Sequence, residues 1–420
     1  MTSEPGSGRT VPGVGWVLFA TAGAGVAGYG IQVVASATLD DPGLYIAFGT
    51  FWSAMYVMVT LLSGIQNAVT RAVRPAGTAR EDGVAGAADL AVLAAVVVGA
   101  LAVLAGSVVV IDGTDGPVGG AAGWMLLAGT GYVGVTLVGG VLQGLQRWRA
   151  VAGLTLTDSA VRTLLVVSAL LMTAARPQLF AAMALPFLVA AVAVGLATWS
   201  RGRGRFTLDV GRGELVRQVL GAVVASSALG VMVSGMPAVM AAVSRDTTPQ
   251  RLAELVMVTS LARAPLIVPI LALQGFLLVR FRDGHDRAVQ VLRRGGSLIL
   301  VVTVVAAGAA AAVGPAVLDT VTGGSYAIEP WFVAGVVVGA GLLGVQVLVG
   351  SALLGRSHHR DYVTMWTVSA VATVLLVLVP GSLGARSLLS MIGGPLAGMA
   401  IAAVLRRVAA ADRGSSPAGR

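Results

Sequence analysis

Residues 254–283 read ELVMVTSLARAPLIVPILALQGFLLVRFRD. A membrane-crossing helix needs roughly 20 mostly apolar residues at a rise of about 1.5 Å each, and this stretch is long enough. Its middle holds Arg263, followed by Pro265 and Pro269. An arginine at the centre of a span costs about 2.5–3.5 kcal/mol on insertion scales, so Arg263 is expected to face a polar interior. The two prolines remove helical hydrogen bonds at the same depth and are expected to act as a hinge. A charge and a bend at one level describe a moving wall of a wet site.

The remainder of the chain has the same character. Of 420 residues, 56% are hydrophobic and 11% charged, against the ~25% charged residues of soluble domains, which marks an integral membrane protein. All 28 basic residues are arginine. No cysteine is present, which excludes disulfides, thiolate metal sites and cysteine nucleophiles. Nothing reads as a nucleotide-binding loop, and no histidine pairs with carboxylates at metal spacing. The expectation is therefore a protein that is not an enzyme, with no catalytic residue, cofactor, metal or nucleic-acid partner.

Twelve apolar segments can be marked, and the connections between them alternate in charge. One set of connections and termini carries 22 arginines; the opposite set carries Arg176, Arg245, Arg251 and Arg386 beside several carboxylates. The positive-inside rule then puts both termini in the cytoplasm and predicts a multi-pass protein of the cell membrane. The sequence also repeats. LVGGVLQGLQRWR (137–149) aligns with LVGSALLGRSHHR (348–360) at an offset of 211, and Arg71 with Arg280 at 209. Parallel repeats of this kind imply two lobes about a pseudo-twofold axis along the membrane normal, with the substrate site between them. The expected architecture is all-α: a cytoplasmic tail (1–13), a six-helix lobe (14–200), a cytoplasmic linker (201–216), a second six-helix lobe (217–407) and a disordered tail (408–420).

Three charges fall deep within the predicted spans: Asp158, Arg162 and Arg263. Asp158 and Arg162 are spaced i, i+4 and share a helix face. Arg162 lies near mid-membrane, at a depth comparable to Arg263 but in the other lobe. Two guanidinium groups, permanently charged and forked, suit an anionic phosphate headgroup, so all three residues are expected to line a central cavity. At the cytoplasmic helix ends, Gln66, Asn67, Gln143 and Gln274, with Arg71, Arg147 and Arg280, are expected to rim its mouth. Asp158 is also a potential coupling-ion site, although its neighbouring arginine keeps it ionised. Gly140/Gly144 and Gly335/Gly339 have the spacing of close helix packing.

FWSAMYVMVTLLSGIQNAVTRA (51–72), GLQRWRAVAGLTLTDSAVR (144–162) and VTSLARAPLIVPILALQG (258–275) resemble helices of bacterial polysaccharide-biosynthesis flippases. These belong to the multidrug/oligosaccharidyl-lipid/polysaccharide exporter superfamily. The resemblance implies two six-helix lobes around a V-shaped cavity of alternating access. It implies a polyprenyl-diphosphate glycolipid as cargo, with membrane lipids, a polysaccharide polymerase and glycosyltransferases as partners. Three other readings stand beside it. A cation-coupled drug exporter calls for an acidic cavity, a membrane glycosyltransferase for larger outer loops, and a non-transporting scaffold for nothing the sequence distinguishes.

Overall fold

The structure, a computed structural model, describes residues 14–75, 87–112, 119–172, 175–199, 206–244, 247–283, 288–322, 328–356 and 358–415. It is a bundle of long apolar helices. The first half comprises α1 (Val14–Thr38), α2 (Pro42–Ala72), α3 (Ala87–Asp112), α4 (Gly119–Gly144), α5 (Trp148–Leu171) and α6 (Arg176–Trp199). The second comprises α7 (Arg212–Ser234), α8 (Met236–Ala242), α9 (Pro249–Asp283), α10 (Ala288–Thr322), α11 (Pro330–Gly355), α12 (His359–Val377) and α13 (Leu383–Ser415). Among the described residues, ten helices are long and apolar enough to cross a membrane. The two other long helices are α9, which carries Arg251, Glu254 and Arg263, and α12, which opens on His-Arg-Asp. The expected count of twelve spans depends on these two.

The repeat read from the sequence reappears as a repeat of packing. In the first half α4 packs on α2, α3 and α6, α1 on α5, and α5 on α6. In the second half α11 packs on α9, α10 and α13, α7 on α12, and α12 on α13. Both ends of α4 and α11 differ by 211 residues (Gly119 to Pro330, Gly144 to Gly355), the offset of the aligned motifs. The glycine pairs supply close approach, as their spacing predicts. A Cβ on Gly140 or Gly144 would come within 2.8 Å of Val69 or 2.7 Å of Val73 on α2 and its extension. One on Gly335 would stand 2.5 Å from Leu388, and one on Gly339 3.0 Å from Met391.

Three features depart from the expectation. After α2 the chain adds a strand, β1 (Val73–Pro75), which pairs antiparallel with β2 (Phe206–Leu208) just before α7. Part of the expected linker is thus a two-stranded ribbon, reinforced by an Arg74–Asp209 ion pair at 3.4 Å. The seventh segment is not one helix: it breaks at Gly235 into α7 and α8. At the other end of the chain α13 continues to Ser415, past the Arg407 boundary expected for it. The tail residues 1–13 and 416–420 and the linker residues 201–205 lie outside the described residues.

The halves meet unequally along the bundle. At the end carrying Leu39 and Tyr45, one apolar cluster runs through both halves, joining Phe48 and Phe51 of α2 to Leu255 and Val256 of α9 and Phe332 of α11. Toward the end carrying the ribbon, the apolar core divides. One cluster belongs to α2, α3, α4 and the start of α7, and another to α9, α11 and α12 with the end of α7. Between them α2 and α7 form a seam. A Cβ on Gly64 would stand 2.6 Å from the Ala222 carbonyl carbon and the Val223 nitrogen, and one on Gly230 would stand 3.1 Å from the Val57 carbonyl oxygen. Backbone meets backbone there, and neither helix can move aside without opening the seam. Gly64→Leu should therefore cost about 1–3 kcal/mol through overpacking, seen as a lowered Tm in detergent. Gly106→Leu, with nothing within 4 Å of its Cβ, should leave the Tm unchanged.

Candidate functional site

Because the two halves are sealed at one end and divided at the other, a cavity of about 630 Å³ opens between them. α1 contributes a smooth face of small residues, Thr21, Ala24, Gly25 and Gly28, with Tyr29 and Gln32 above it. The spacing of these positions is that of one helix face. α2 contributes Trp52, Ser53, Tyr56 and Gln66, and α4 and α5 contribute Tyr132, Gln143, Thr155 and Asp158. The second half adds Val233, Ser234, Pro237, Thr259, Ser260 and Arg263.

Arg263 is 7% exposed, and its Nη2 donates to the Met232 carbonyl oxygen at 2.8 Å. That carbonyl belongs to the last turn before the break at Gly235. Pro237 brings no N–H to the ladder, so the backbone around the break is short of donors. Ser53 of α2 supplies the other repair. Its hydroxyl donates to the Ser234 carbonyl oxygen and accepts from the Ala238 N–H at 3.3 Å, standing inside what would be an i to i+4 helical bond. The Nε of Arg263 is buried and has no hydrogen-bond partner, and among the described residues no carboxylate pairs with this guanidinium.

Arg162 is placed otherwise than its depth in the sequence suggests. It is 2% exposed and directed into the first half, behind the cavity wall. Its Nη2 donates to Asp158 Oδ1 at 2.5 Å, and its Nη1 donates to the Met183 carbonyl oxygen at 2.6 Å. Its Cζ lies 4.0 Å from the centre of the Phe187 ring. Met183 and Phe187 flank Pro186 inside α6, so this arginine is held by a carbonyl and an aromatic face of a proline-interrupted turn. The expectation that Arg162 lines the cavity is thereby corrected. Its charge is spent on protein partners, and Asp158 is the member of the pair that reaches the cavity.

Of the residues expected at the mouth, Gln66 and Gln143 line the cavity, the latter accepting from Thr70 Oγ1 at 3.2 Å. Arg71 and Asn67 are exposed and do not line it. Arg147 immediately precedes α5, half-buried and away from the wall. The side chains of Gln274 and Arg280 lie outside the described residues. Pro265 and Pro269, the expected hinge, are exposed on α9, which runs unbroken through both; a separate helix break lies at Gly235. The sequence reading missed Tyr29, Gln32, Trp52, Tyr56 and Tyr132. Polar-aromatic residues at i, i+3 or i+4 within otherwise apolar spans were the available signal.

No family model matches the chain. An uncharacterised protein of Mycobacterium bovis is 28% identical over 389 residues, covering 91% of this chain and 89% of its own. An uncharacterised protein of Mycobacterium tuberculosis is 27% identical over 377 residues, covering 87% and 85%. Among solved structures, an inward-facing multidrug-resistance MATE-family transporter of the MOP superfamily superposes with a TM-score of 0.65 at 15% identity, over 92% of this chain and 96% of the other. The lipid II flippase MurJ, in an inward closed conformation, gives 0.66 at 8% identity over 93% and 87%. A MOP-superfamily transporter from Pyrococcus furiosus, described as having a binding pocket of reverse polarity, gives 0.52 at 14% identity over 94% and 96%. The chain has the fold of these multi-pass membrane proteins.

The Asp158–Arg162 pair makes a direct prediction. Arg162→Ala would strip the half-buried, cavity-facing Asp158 of its cation; breaking a fully buried pair costs about 3–5 kcal/mol, and this one should approach the lower end. The variant should show a sharply lower Tm in detergent, and the double substitution Asp158→Asn with Arg162→Gln should recover part of the loss.

Proposed function

We propose that this protein is a transporter that flips a polyprenyl-diphosphate-linked oligosaccharide from the inner to the outer leaflet by alternating access, for assembly of a cell-surface polysaccharide. The observation that carries this reading is the charge of the cavity. Asp158 is neutralised by Arg162 at 2.5 Å, whereas Arg263 is buried, faces the cavity and has no carboxylate partner among the described residues. The wall therefore offers one uncompensated positive charge in a low-dielectric setting, where it favours an anion. A diphosphate meets that demand with oxygens matched to the guanidinium fork, and a polyprenyl tail can remain in lipid.

The division of the core at the ribbon-bearing end supports entry of cargo there. The arginine-rich connections belong to that end, which the positive-inside rule assigns to the cytoplasm. Pro265 and Pro269, exposed on α9, and the break at Gly235 are the places where the second half would bend as the lobes rock. The MATE-like fold also fits a cation-coupled exporter, in which Asp158 would be the coupling group. Against that, Arg162 already occupies Asp158 Oδ1, a place that a coupling cation would have to take.

In cells carrying Arg263→Gln, a substitution that keeps a donor for Met232 but removes the charge, lipid-linked precursor should build up. Surface polysaccharide should fall by about tenfold, the factor that loss of ~1.4 kcal/mol of headgroup binding produces. Normal polysaccharide at normal protein abundance would overturn the headgroup role. Proton-driven export of a cationic dye from proteoliposomes, abolished by Asp158→Asn, would establish the exporter instead.

A further inference from the structure

Among the described residues, two groups on the cavity wall are buried without a hydrogen-bond partner, and they are of opposite kinds. Gln32 of α1 is 6% exposed, and its Oε1 has no donor. Arg263 of α9 presents an Nε with no acceptor. Buried polar groups are rarely left unmade, so a ligand that fits this cavity should both donate and accept. Asp158 adds a third demand. Arg162 occupies Oδ1, and a carboxylate retains further acceptor capacity on the side that meets the cavity. The first half thus offers acceptors, and the second half offers a cationic donor.

Between them lies an aromatic surface. Phe48, Trp52 and Tyr56 stand i, i+4, i+8 along one face of α2, with ring centres 5.8 Å apart for the first pair and 5.0 Å for the second. Trp52 and Tyr56 line the cavity, and Tyr132 stands on the same side. A Cβ on Gly28 would lie 3.9 Å from Trp52 Cζ2, an ordinary van der Waals contact, so α1 runs beside the indole. An electron-rich ring face attracts the slightly positive C–H groups of an apolar ring surface. A pyranose combines such a surface with a rim of hydroxyl donors.

We propose that the first-half wall of the cavity is a saccharide subsite. The sugar next to the diphosphate stacks on Trp52 and Tyr56, its hydroxyls donate to Gln32 Oε1 and Asp158, and the phosphate attached to it reaches Arg263. This rests on the glycolipid reading above and adds to it a division of labour: the second half grips charge, and the first half selects the sugar. A cationic aromatic guest would also stack on Trp52, but it would meet a neutralised Asp158 and an opposing Arg263.

The test is equilibrium binding to the full-length protein in lipid nanodiscs. The probes are farnesyl diphosphate and farnesyl diphosphate carrying one N-acetylglucosamine or one galactose. At least one sugar-bearing probe should bind about tenfold more tightly than the bare diphosphate. Trp52→Leu and Gln32→Leu, each checked for a cooperative thermal transition, should bring that ratio close to one. Equal binding of all three probes by the unsubstituted protein would overturn the subsite while leaving the headgroup reading in place. A ratio that survives both substitutions would also overturn it. Failure of every probe to bind would overturn the headgroup reading itself.

Discussion

Within a membrane every backbone N–H and C=O must find a partner inside the protein, and the break at Gly235 is where this chain meets that constraint with side chains. The Ser53 hydroxyl enters the ladder between Ser234 and Ala238, and the Arg263 guanidinium takes the Met232 carbonyl. Ser53 comes from the first half of the chain and Arg263 from the second. The same three bonds that make an interrupted helix tolerable also bring α2, α7 and α9 together around one cavity. A continuous helix at this position would have no use for either residue.

The bond to Met232 does not exhaust Arg263. A guanidinium has five N–H donors in a plane, and one carbonyl occupies one of them. Arg162 shows the opposite outcome for the same residue type. Asp158, the Met183 carbonyl and the Phe187 ring surround it, and its charge is internal to the first half. Two arginines at similar depth therefore do different work. One stabilises a lobe and orients a carboxylate; the other leaves positive charge on a cavity wall.

The unequal contact between halves follows from small residues. Gly64 and Gly230 let α2 and α7 touch backbone to backbone, and the β1–β2 ribbon joins the ends of the same two helices. At the opposite end of the bundle, phenylalanine and branched side chains of both halves interlock in one cluster. The cavity is what remains where neither device operates. Its position between two similar lobes comes from the repeat, and its opening at one end comes from where apolar side chains can interdigitate.

Much of this was legible in the sequence. Span length and apolarity set the helices, because lipid leaves the backbone few alternatives. The 211-residue offset set the pairing of halves, and the glycine spacings marked faces of α4 and α11 for close packing, whose partners, α2 and α13, the structure supplies. A buried, non-lipid environment for Arg263 followed from the cost of its charge. Tertiary structure alone decided which way Arg162 faces, since a four-residue spacing from Asp158 puts both on one helix face without saying whether α6 or the cavity lies beyond it. It alone placed a break at Gly235, because a helix breaks where neighbouring side chains can satisfy the freed backbone. Ser53 and Arg263 are 210 residues apart in the chain and meet that need only once the two halves are packed together.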